Sequence, residues 1–266
     1  MQREALVRLA TELRDLHHAR RPLLLPNAWD VGSAVTVERA GALAVATTSS
    51  GAAAALGFED GQEIPAAEMF LTVLRIAGSV RIPVTADIEG GYGLPPEAVV
   101  EELLRAGAVG MNLEDTDWTD PARPPRDAAL QADRIRAVRA AAKAMGVPVV
   151  INARIDAFLR TEAAHRDVLD EAIERGVGYL AAGADCVYPI GLDDAGLIGR
   201  FVRRVGGPVN ILLRPSSPTI KQLRRLGVRR ISVGGGLWRH AMAATENVAR
   251  RLVAGDGGPF SSLGES

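Results

Sequence analysis

The stretch "RAGAVGMNLED", residues 105–115, contains the unit from which the chain is built. Gly107 ends an amphipathic segment, an apolar run follows, and Glu114 and Asp115 close the run. A glycine directly after a helix, followed by a short turn, is typical of a helix-to-strand connection. The same junction recurs as "RAGA" at 39–42 and "AAGA" at 181–184. The sequence therefore predicts repeated βα units with parallel strands.

Eight apolar, β-branched runs alternate with helical patterns along the chain. Near-continuous apolar runs are typical of strands that are covered on both faces of a parallel sheet. The predicted strands are 22–29, 42–49, 82–89, 108–115, 147–156, 185–191, 208–215 and 229–235. Eight units predict an α/β fold, a (β/α)8 TIM barrel, preceded by an extra helix at 1–20. No segment has linker composition, so we expect one domain over 1–266, with 236–253 as its last helix.

Composition and charge exclude several classes of partner. The net charge of −1 gives no electrostatic basis for binding nucleic acid or an anionic membrane. No apolar run approaches the roughly 20 residues that a bilayer-spanning helix needs. The beginning of the chain has no signal-peptide pattern, and the single cysteine, Cys186, rules out an internal disulfide. We expect a cytoplasmic protein in which Cys186 is a small buried strand residue.

Polar side chains collect at the carboxyl ends of the predicted strands, whereas the opposite ends are glycine, alanine and proline. In barrel enzymes the carboxyl-terminal face of the sheet carries the active site. The residues concerned are Asn27, Asp30, Ser49, Ser50, Asp87, Glu89, Glu114, Asp115, Asn152, Arg154, Asp156 and Arg214. This asymmetry predicts an enzyme.

Three carboxylates are candidates for a metal site. Asp87 and Glu89 are two residues apart in a predicted strand, so both are expected on one side of it, and Glu114 ends the next strand. Carboxylates in one pocket raise one another's pKa unless a cation neutralises them. Without nearby histidines or further cysteines, oxygen ligands suit Mg²⁺ better than zinc. The alternative is that each carboxylate caps a helix or pairs with an arginine, and spacing does not decide between these readings.

Arg154 at the end of the fifth strand suits a carboxylate or phosphoryl group, because its planar fork of donors matches such oxygens. An internal ion pair with Glu114 or Asp156 is the alternative, and both roles can hold together. The small-residue stretch 47–57 suits an anion cradle or a flexible surface loop. The glycines at 234–236 suit phosphate binding or tight helix packing, and the polar loop 116–129 suits a lid or a plain ordered loop.

The chain resembles the isocitrate lyase / phosphoenolpyruvate mutase superfamily from about residue 22 to 250. The motifs that carry the resemblance are "LPNAWDVGSA", "TTSSGAAAALGFEDG", "PVTADIEGGYG", "GMNLEDTD", "INARIDAF", "AGADCVYPIG" and "RRISVGGGLWRHAM". The resemblance implies a barrel that binds Mg²⁺, or Mn²⁺, together with a small 2-oxo acid or related carboxylate. It also implies cleavage or formation of a C–C or P–C bond, often through an enolate.

The resemblance also implies roles for individual residues. Asp87 would be the main metal ligand, with Glu89 and Glu114 acting mostly through metal-bound waters. The implied catalytic residues are Arg154, Asp60 and Glu114, and the implied substrate-binding residues are Ser50, Gly51, Ala52, Arg154 and Asn210. Superfamily members tend to exchange their last helix between subunits, so we expect a homo-oligomer, a dimer or a tetramer.

Departures from the superfamily patterns narrow the activity. The loop 116–129 lacks the Lys-Lys-Cys-Gly-His run of the isocitrate and methylisocitrate lyases and the asparagine of the mutase lid. Leu212 stands where the lyases have a hydroxyl residue after Asn210, and Glu89 replaces their usual aspartate. We therefore expect a Mg²⁺-dependent lyase that cleaves a C–C bond in a small 2-oxo or 2-hydroxy dicarboxylate, similar to oxaloacetate decarboxylase or a malate lyase. The alternatives are P–C chemistry, as in a phosphonopyruvate hydrolase or phosphonomutase, and a non-catalytic barrel that binds a 2-oxo acid.

Overall fold

The computed structural model describes residues 2–159 and 164–258, and this part of the chain contains nine strands and ten helices. The strands are β1 (Leu23–Leu25), β2 (Asn27–Ala28), β3 (Val45–Thr47), β4 (Val84–Asp87), β5 (Gly110–Glu114), β6 (Val150–Ile155), β7 (Cys186–Pro189), β8 (Asn210–Leu212) and β9 (Arg230–Ser232). The helices are α1 (Arg3–His18), α2 (Val31–Arg39), α3 (Ser49–Leu56), α4 (Ala66–Ser79), α5 (Pro96–Arg105), α6 (Ala128–Ala144), α7 (His165–Ala181), α8 (Ala195–Val205), α9 (Ile220–Arg225) and α10 (Gly236–Val253).

The strands form a closed parallel barrel. Six strands pair in the order β2-β3-β4-β5-β6-β7, and three pair in the order β1-β9-β8. A parallel bridge between Val187 and Val209 joins β7 to β8. The two groups of strands are also joined between β1 and β2, which belong to one run of chain interrupted only by Pro26. The predicted TIM barrel is therefore confirmed.

Two predicted segments differ from the structure for local reasons. The expected first strand at 22–29 is two short strands, because Pro26 has no N–H group to continue the ladder. The stretch 47–57 is not a loop: α3 occupies most of it, with the Thr48 hydroxyl as its N-cap and Gly57 in the left-handed conformation as its C-cap. Cys186 is fully buried, as predicted.

The amino-terminal helix α1 covers the bottom of the barrel. Its Leu13 is fully buried and lies so close to Gly110 at the start of β5 that a Cβ there would come within 2.7 Å of the leucine Cδ2. Arg14 donates to the Asp185 carboxylate just before β7 and to the carbonyl of Pro148 just before β6. These contacts tie α1 to the amino-terminal ends of the strands, away from the face where the polar residues collect. The structure confirms the predicted extra helix.

A buried arginine of β9 packs against a buried histidine of α1. Arg230 on β9 is 1% exposed, and its Nη1 lies 3.4 Å from the His17 Nε2. His17 Nδ1 lies 2.7 Å from the carbonyl oxygen of Leu13. Since arginine can only donate, Nε2 accepts and Nδ1 carries the proton, so the imidazole is neutral. Burial, and then the charge of Arg230, lower the pKa of His17 from 6.5 to about 3.

Acidification is expected to destabilise the protein through His17. Below pH 6.5 the unfolded chain binds a proton at this histidine that the folded chain rejects, so stability falls as the pH falls. Between pH 6.5 and pH 5 this amounts to about 2 kcal/mol at 1.36 kcal/mol per pH unit. Urea unfolding at pH 7.5 and pH 5, in wild type and in His17→Gln, measures the effect. An equal loss of stability in both proteins would contradict it.

The last helix, α10, has no buried residue, in contrast to the long helices α4 to α8 around the barrel. The barrel wall around β1 is open. Leu24 on β1 is 45% exposed, and Leu43, which precedes β3, is 59% exposed. Both lie in an apolar groove of about 410 Å³ that also includes Leu16 and Val37. Within the described residues, therefore, a helix with no buried residue, whose Leu237 packs only partly buried against the core, coexists with an uncovered stretch of barrel wall.

Two further predictions concern the domain limits and the cellular location. The predicted domain limits 1–266 include residue 1, 160–163 and 259–266, which lie outside the described residues. In 2–159 and 164–258, none of the helices combines the length and apolar character that crossing a bilayer requires. The cytoplasmic location stays a prediction.

Candidate active site

A polar cavity of about 350 Å³ opens at the carboxyl-terminal ends of the strands. A second cavity of about 240 Å³ adjoins it and shares Ser49, Asp60 and Arg154 with it. A larger groove of about 440 Å³ between α4 and α5 is mainly apolar and lies away from these groups. The two polar cavities bring together most of the charged residues that sequence analysis selected, so we take them as the candidate site.

Asp87 is held in place at the end of β4. Its Oδ2 accepts from both the backbone N–H and the hydroxyl of Ser49 at 3.1 Å, and its Oδ1 accepts from the Asn112 side-chain amide at 3.1 Å. The Asn112 Oδ1 in turn accepts from Asn152 at 2.8 Å and from Arg230 at 3.2 Å. These two donors fix the orientation of the Asn112 amide, so its NH₂ group faces Asp87.

Glu89 reaches the cavity by a different route from the predicted strand alternation. β4 ends at Asp87, and Glu89 lies in a turn with a φ of 50°, in the left-handed region that costs a non-glycine residue energy. Tyr92, with a φ of 56°, donates its hydroxyl to Glu89 Oε1 at 3.0 Å. Burial, then the charges of Asp87 and Asp60, raise the pKa of Glu89 to about 7. The turn after the strand therefore concentrates negative charge.

Arg154 bridges two carboxylates in the wall of the cavity. Its Nη1 lies 2.5 Å from Glu114 Oε2, and its Nε and Nη2 donate to the two oxygens of Asp156 at 2.7 and 2.9 Å. The alternative reading of Arg154 as an internal ion pair is thus confirmed, and the side chain also lines both cavities. Two of its five N–H donors are hydrogen-bonded to Asp156, so the guanidinium keeps donors that these bonds do not use.

Trp118 is a site residue that sequence analysis missed. Its indole N–H donates to Glu114 Oε1 at 2.6 Å, and the Arg123 guanidinium lies 4.9 Å from its ring centroid. The indole fits between Gly61 and Gly90: a Cβ on Gly90 would come within 2.5 Å of Trp118 Cδ1. The loop 116–129 is therefore packed over the acidic side of the cavity. Whether it also moves as a lid stays a prediction.

The remaining predicted substrate-binding residues are placed unequally. Ser50 lines the cavity, whereas Gly51 and Ala52 do not, because their N–H groups point at the Thr48 hydroxyl and carbonyl. A Cβ at Gly51 would also press on Thr48 and Trp29. Asn210 is fully buried and pairs with Ser232 through its amide. Direct contact of Gly51, Ala52 and Asn210 with a ligand is therefore not what the structure indicates, and Ser232 lines the cavity in place of Asn210.

The acidic residues fit a hydrated cation better than a fully protein-bound one. Among the described residues, no three His, Cys, Asp or Glu side chains are placed to hold a metal ion directly. Burial and then the charge of Asp87 raise the pKa of Asp60, and burial raises that of Glu114. A cation would relieve this repulsion. Mg²⁺ usually keeps several waters, so one direct carboxylate with others acting through water suits it.

The sequence matches a known protein family over most of its length. The sequence profile of the phosphoenolpyruvate phosphomutase family matches residues 13–253. The chain belongs to this family. The superfamily predicted from the motifs, with its lyases and mutases, is thereby confirmed.

Three similar proteins show how varied the family is. A solved structure from Burkholderia cenocepacia J2315, described provisionally as a phosphonomutase, is 40% identical, with a TM-score of 0.85 over 91% of this chain and 99% of its own. The 2-methylisocitrate lyase of Aeropyrum pernix is 28% identical over 95% of this chain and 82% of its own. The oxaloacetate decarboxylase of Ectopseudomonas mendocina is 31% identical over 73% of this chain and 67% of its own. Membership supports an enzyme that acts on small carboxylates without selecting the reaction.

Proposed function

We propose that this family member is a Mg²⁺-dependent lyase that cleaves a C–C bond in a small 2-oxo or 2-hydroxy dicarboxylate through an enolate. The activity would be similar to that of oxaloacetate decarboxylase or a malate lyase, and Mn²⁺ could replace Mg²⁺. One observation carries the proposal: the carboxylate of Asp87 and the guanidinium of Arg154 line the same polar cavity. The Asp87 carboxylate can hold a metal cation, and the Arg154 guanidinium can hold an anionic group of the substrate. Together they suit a substrate that develops the negative charge of an enolate.

The residues divide the work by position. Asp87 would hold the cation directly, and Glu89 and Glu114 would hold it through waters. Asp60, which lines both cavities, would lie near the cation. When bound, the cation would supply a Lewis acid that stabilises negative charge on the substrate's 2-oxo group. Arg154 would orient the carboxylate that leaves or is retained, since Asp156 and Glu114 fix its plane.

Among the described residues that line the two cavities, none is a histidine or a cysteine. Decarboxylation of a 2-oxo acid with a second carboxylate at C3 requires no base, because loss of CO₂ leaves its electron pair in the enolate. Cleavage of a 2-hydroxy acid requires removal of the hydroxyl proton. Carboxylates with a raised pKa line the cavities, Glu89 among them, so the lining residues suit either reaction of the proposed class.

The test is turnover of a panel of 2-oxo and 2-hydroxy dicarboxylates by metal-free and Mg²⁺-loaded protein, followed by NMR. Mg²⁺-dependent loss of one acid, with a C–C cleavage product, is the expected result. Phosphate release from phosphonopyruvate would instead establish P–C chemistry, which the provisional phosphonomutase relative keeps as the second candidate. Stabilisation by Mg²⁺ and an acid without any turnover would favour a non-catalytic barrel.

We also propose a homo-oligomer, a dimer or a tetramer, in which α10 is exchanged between subunits. The exposed α10 and the open groove around Leu24 and Leu43 support it, since both leave apolar side chains uncovered within the described residues. Charged substitutions there, Leu24→Glu with Leu43→Glu, are expected to lower the mass measured by light scattering. Leu130→Glu is the control, because Leu130 on α6 is 60% exposed and lies outside the groove. An unchanged mass in the double variant would contradict the exchange.

A further inference from the structure

The candidate cavity has a second charged end. Arg214, two residues beyond β8, and Arg239, in the first turn of α10, line the cavity together with Asp87 and Arg154. Neither arginine lines the adjoining cavity that contains Glu89, Glu114 and Trp118. The site therefore runs from an acidic end to a basic end.

These two arginines differ from Arg154 in having no protein counter-charge. Within the described residues, no carboxylate lies within ion-pair distance of either guanidinium, and neither donates a side-chain hydrogen bond. Arg214 is half-buried, so its charge is partly removed from water. Arg239 is exposed and lines the same cavity, so an anion bound there would meet two positive charges that no carboxylate of the described residues competes for.

Gly235 leaves room beside them. Its φ of −69° is open to any residue, so backbone conformation does not require glycine here. A Cβ at this position would stand 3.0 Å from the Arg239 Nη1 and 2.9 Å from the Ser50 hydroxyl, so it would press on both groups. The missing side chain opens a recess between a guanidinium and a hydroxyl, which are both donors to an anion.

We propose that Arg214 and Arg239, with Ser50 and the recess at Gly235, form an anion subsite for the second acidic group of the substrate. The subsite rests on the proposed function only for the orientation of the substrate, whose 2-oxo or 2-hydroxy acid end lies at the acidic end of the site. The second group, a carboxylate, then lies at the arginines. The subsite selects dicarboxylates over monocarboxylic acids of the same length, because a charge-assisted bond to arginine forms with one and not the other.

The experiment compares malate with 2-hydroxybutyrate, in which a methyl group replaces the second carboxylate. Binding is measured by calorimetry and thermal shift with Mg²⁺ present, for wild type, Arg214→Gln, Arg239→Gln and the double variant. Wild type should prefer malate at least about tenfold, and each substitution should weaken malate roughly 10- to 100-fold while leaving 2-hydroxybutyrate unchanged. Arg225→Gln, an exposed arginine of α9 that does not line the cavity, is the control for lost charge.

Equal affinity of wild type for the two acids, including no binding of either, would overturn the subsite. So would a double variant that still prefers malate, or one that loses both acids equally. The two proposals fail separately. If wild type prefers malate and the double variant does not, but wild type turns over no acid, the lyase is refuted and the subsite stands. If the double variant has an unchanged kcat/KM for a dicarboxylate, only the subsite is refuted.

Discussion

Asp87→Asn is expected to abolish Mg²⁺-dependent turnover while leaving the barrel folded. The substitution removes the negative charge that would hold the cation and keeps the shape of the side chain, so kcat/KM should fall on the order of 10³-fold or more. The rise in unfolding temperature that Mg²⁺ causes in wild type should disappear as well. Turnover assays and thermal unfolding with and without Mg²⁺ measure the two effects.

Stability should change little, because two effects oppose each other. The variant weakens the hydrogen bonds from Ser49 and Asn112 to the carboxylate, and it removes a charge that repels Glu89 and Asp60. Their sum should stay within about 1 kcal/mol of the metal-free free energy of unfolding. Asp133→Asn, which removes the same charge from an exposed position on α6, is the control. A variant at Asp87 that keeps Mg²⁺-dependent activity would refute the proposed metal ligand.

Arg154→Met is expected to lose stability as well as activity. The side chain is 13% exposed and pairs with Glu114 and Asp156, whose side chains are 1% and 0% exposed. Removing the guanidinium leaves two buried carboxylates without their counter-charge, which costs about 3–5 kcal/mol. Urea unfolding of the metal-free protein measures this loss, and turnover should be undetectable in the folded fraction.

Two variants separate the roles of Arg154. Arg154→Lys keeps the charge without the bidentate fork, so it should recover part of the stability and little of the activity. Arg250→Met breaks an exposed pair with Glu246 and should cost no more than about 1 kcal/mol. A stability loss for Arg154→Met no larger than that of Arg250→Met would show that Glu114 and Asp156 find other compensation.

Features that depend on neighbours in sequence were predictable. The alternation of apolar runs and helical patterns reflects burial of each unit on both sides, so the barrel and its amino-terminal helix follow from it. The carboxyl ends of all strands in such a barrel meet on one face, so Asp87, Glu114 and Arg154 were expected to converge. The strand predicted to reach Glu89 was wrong, because β4 ends at Asp87, although Glu89 still lines the adjoining cavity.

Features that depend on contacts distant in sequence were not predictable. Trp118 reaches Glu114 because Gly61 and Gly90, from two other loops, leave a slot for its ring. Arg239 belongs to a helix whose pattern says nothing about the cavity, and Asn210 is withdrawn from it by a partner on the next strand, Ser232. A slot, a recess or a competing hydrogen bond exists only between segments, so no single segment encodes it.

By itself, the sequence determined the barrel, the face that carries the site, and the acidic and basic residue types available there. Local periodicity and the helix-to-strand junction of "RAGAVGMNLED" are enough to predict these features, because each βα unit buries its apolar residues in the same way. Only the tertiary structure decided which polar groups are engaged by the protein and which face the cavity. Arg154 is held by two carboxylates while Arg214 and Arg239 have none, and that difference arises from the packing of separate strands and helices around one axis.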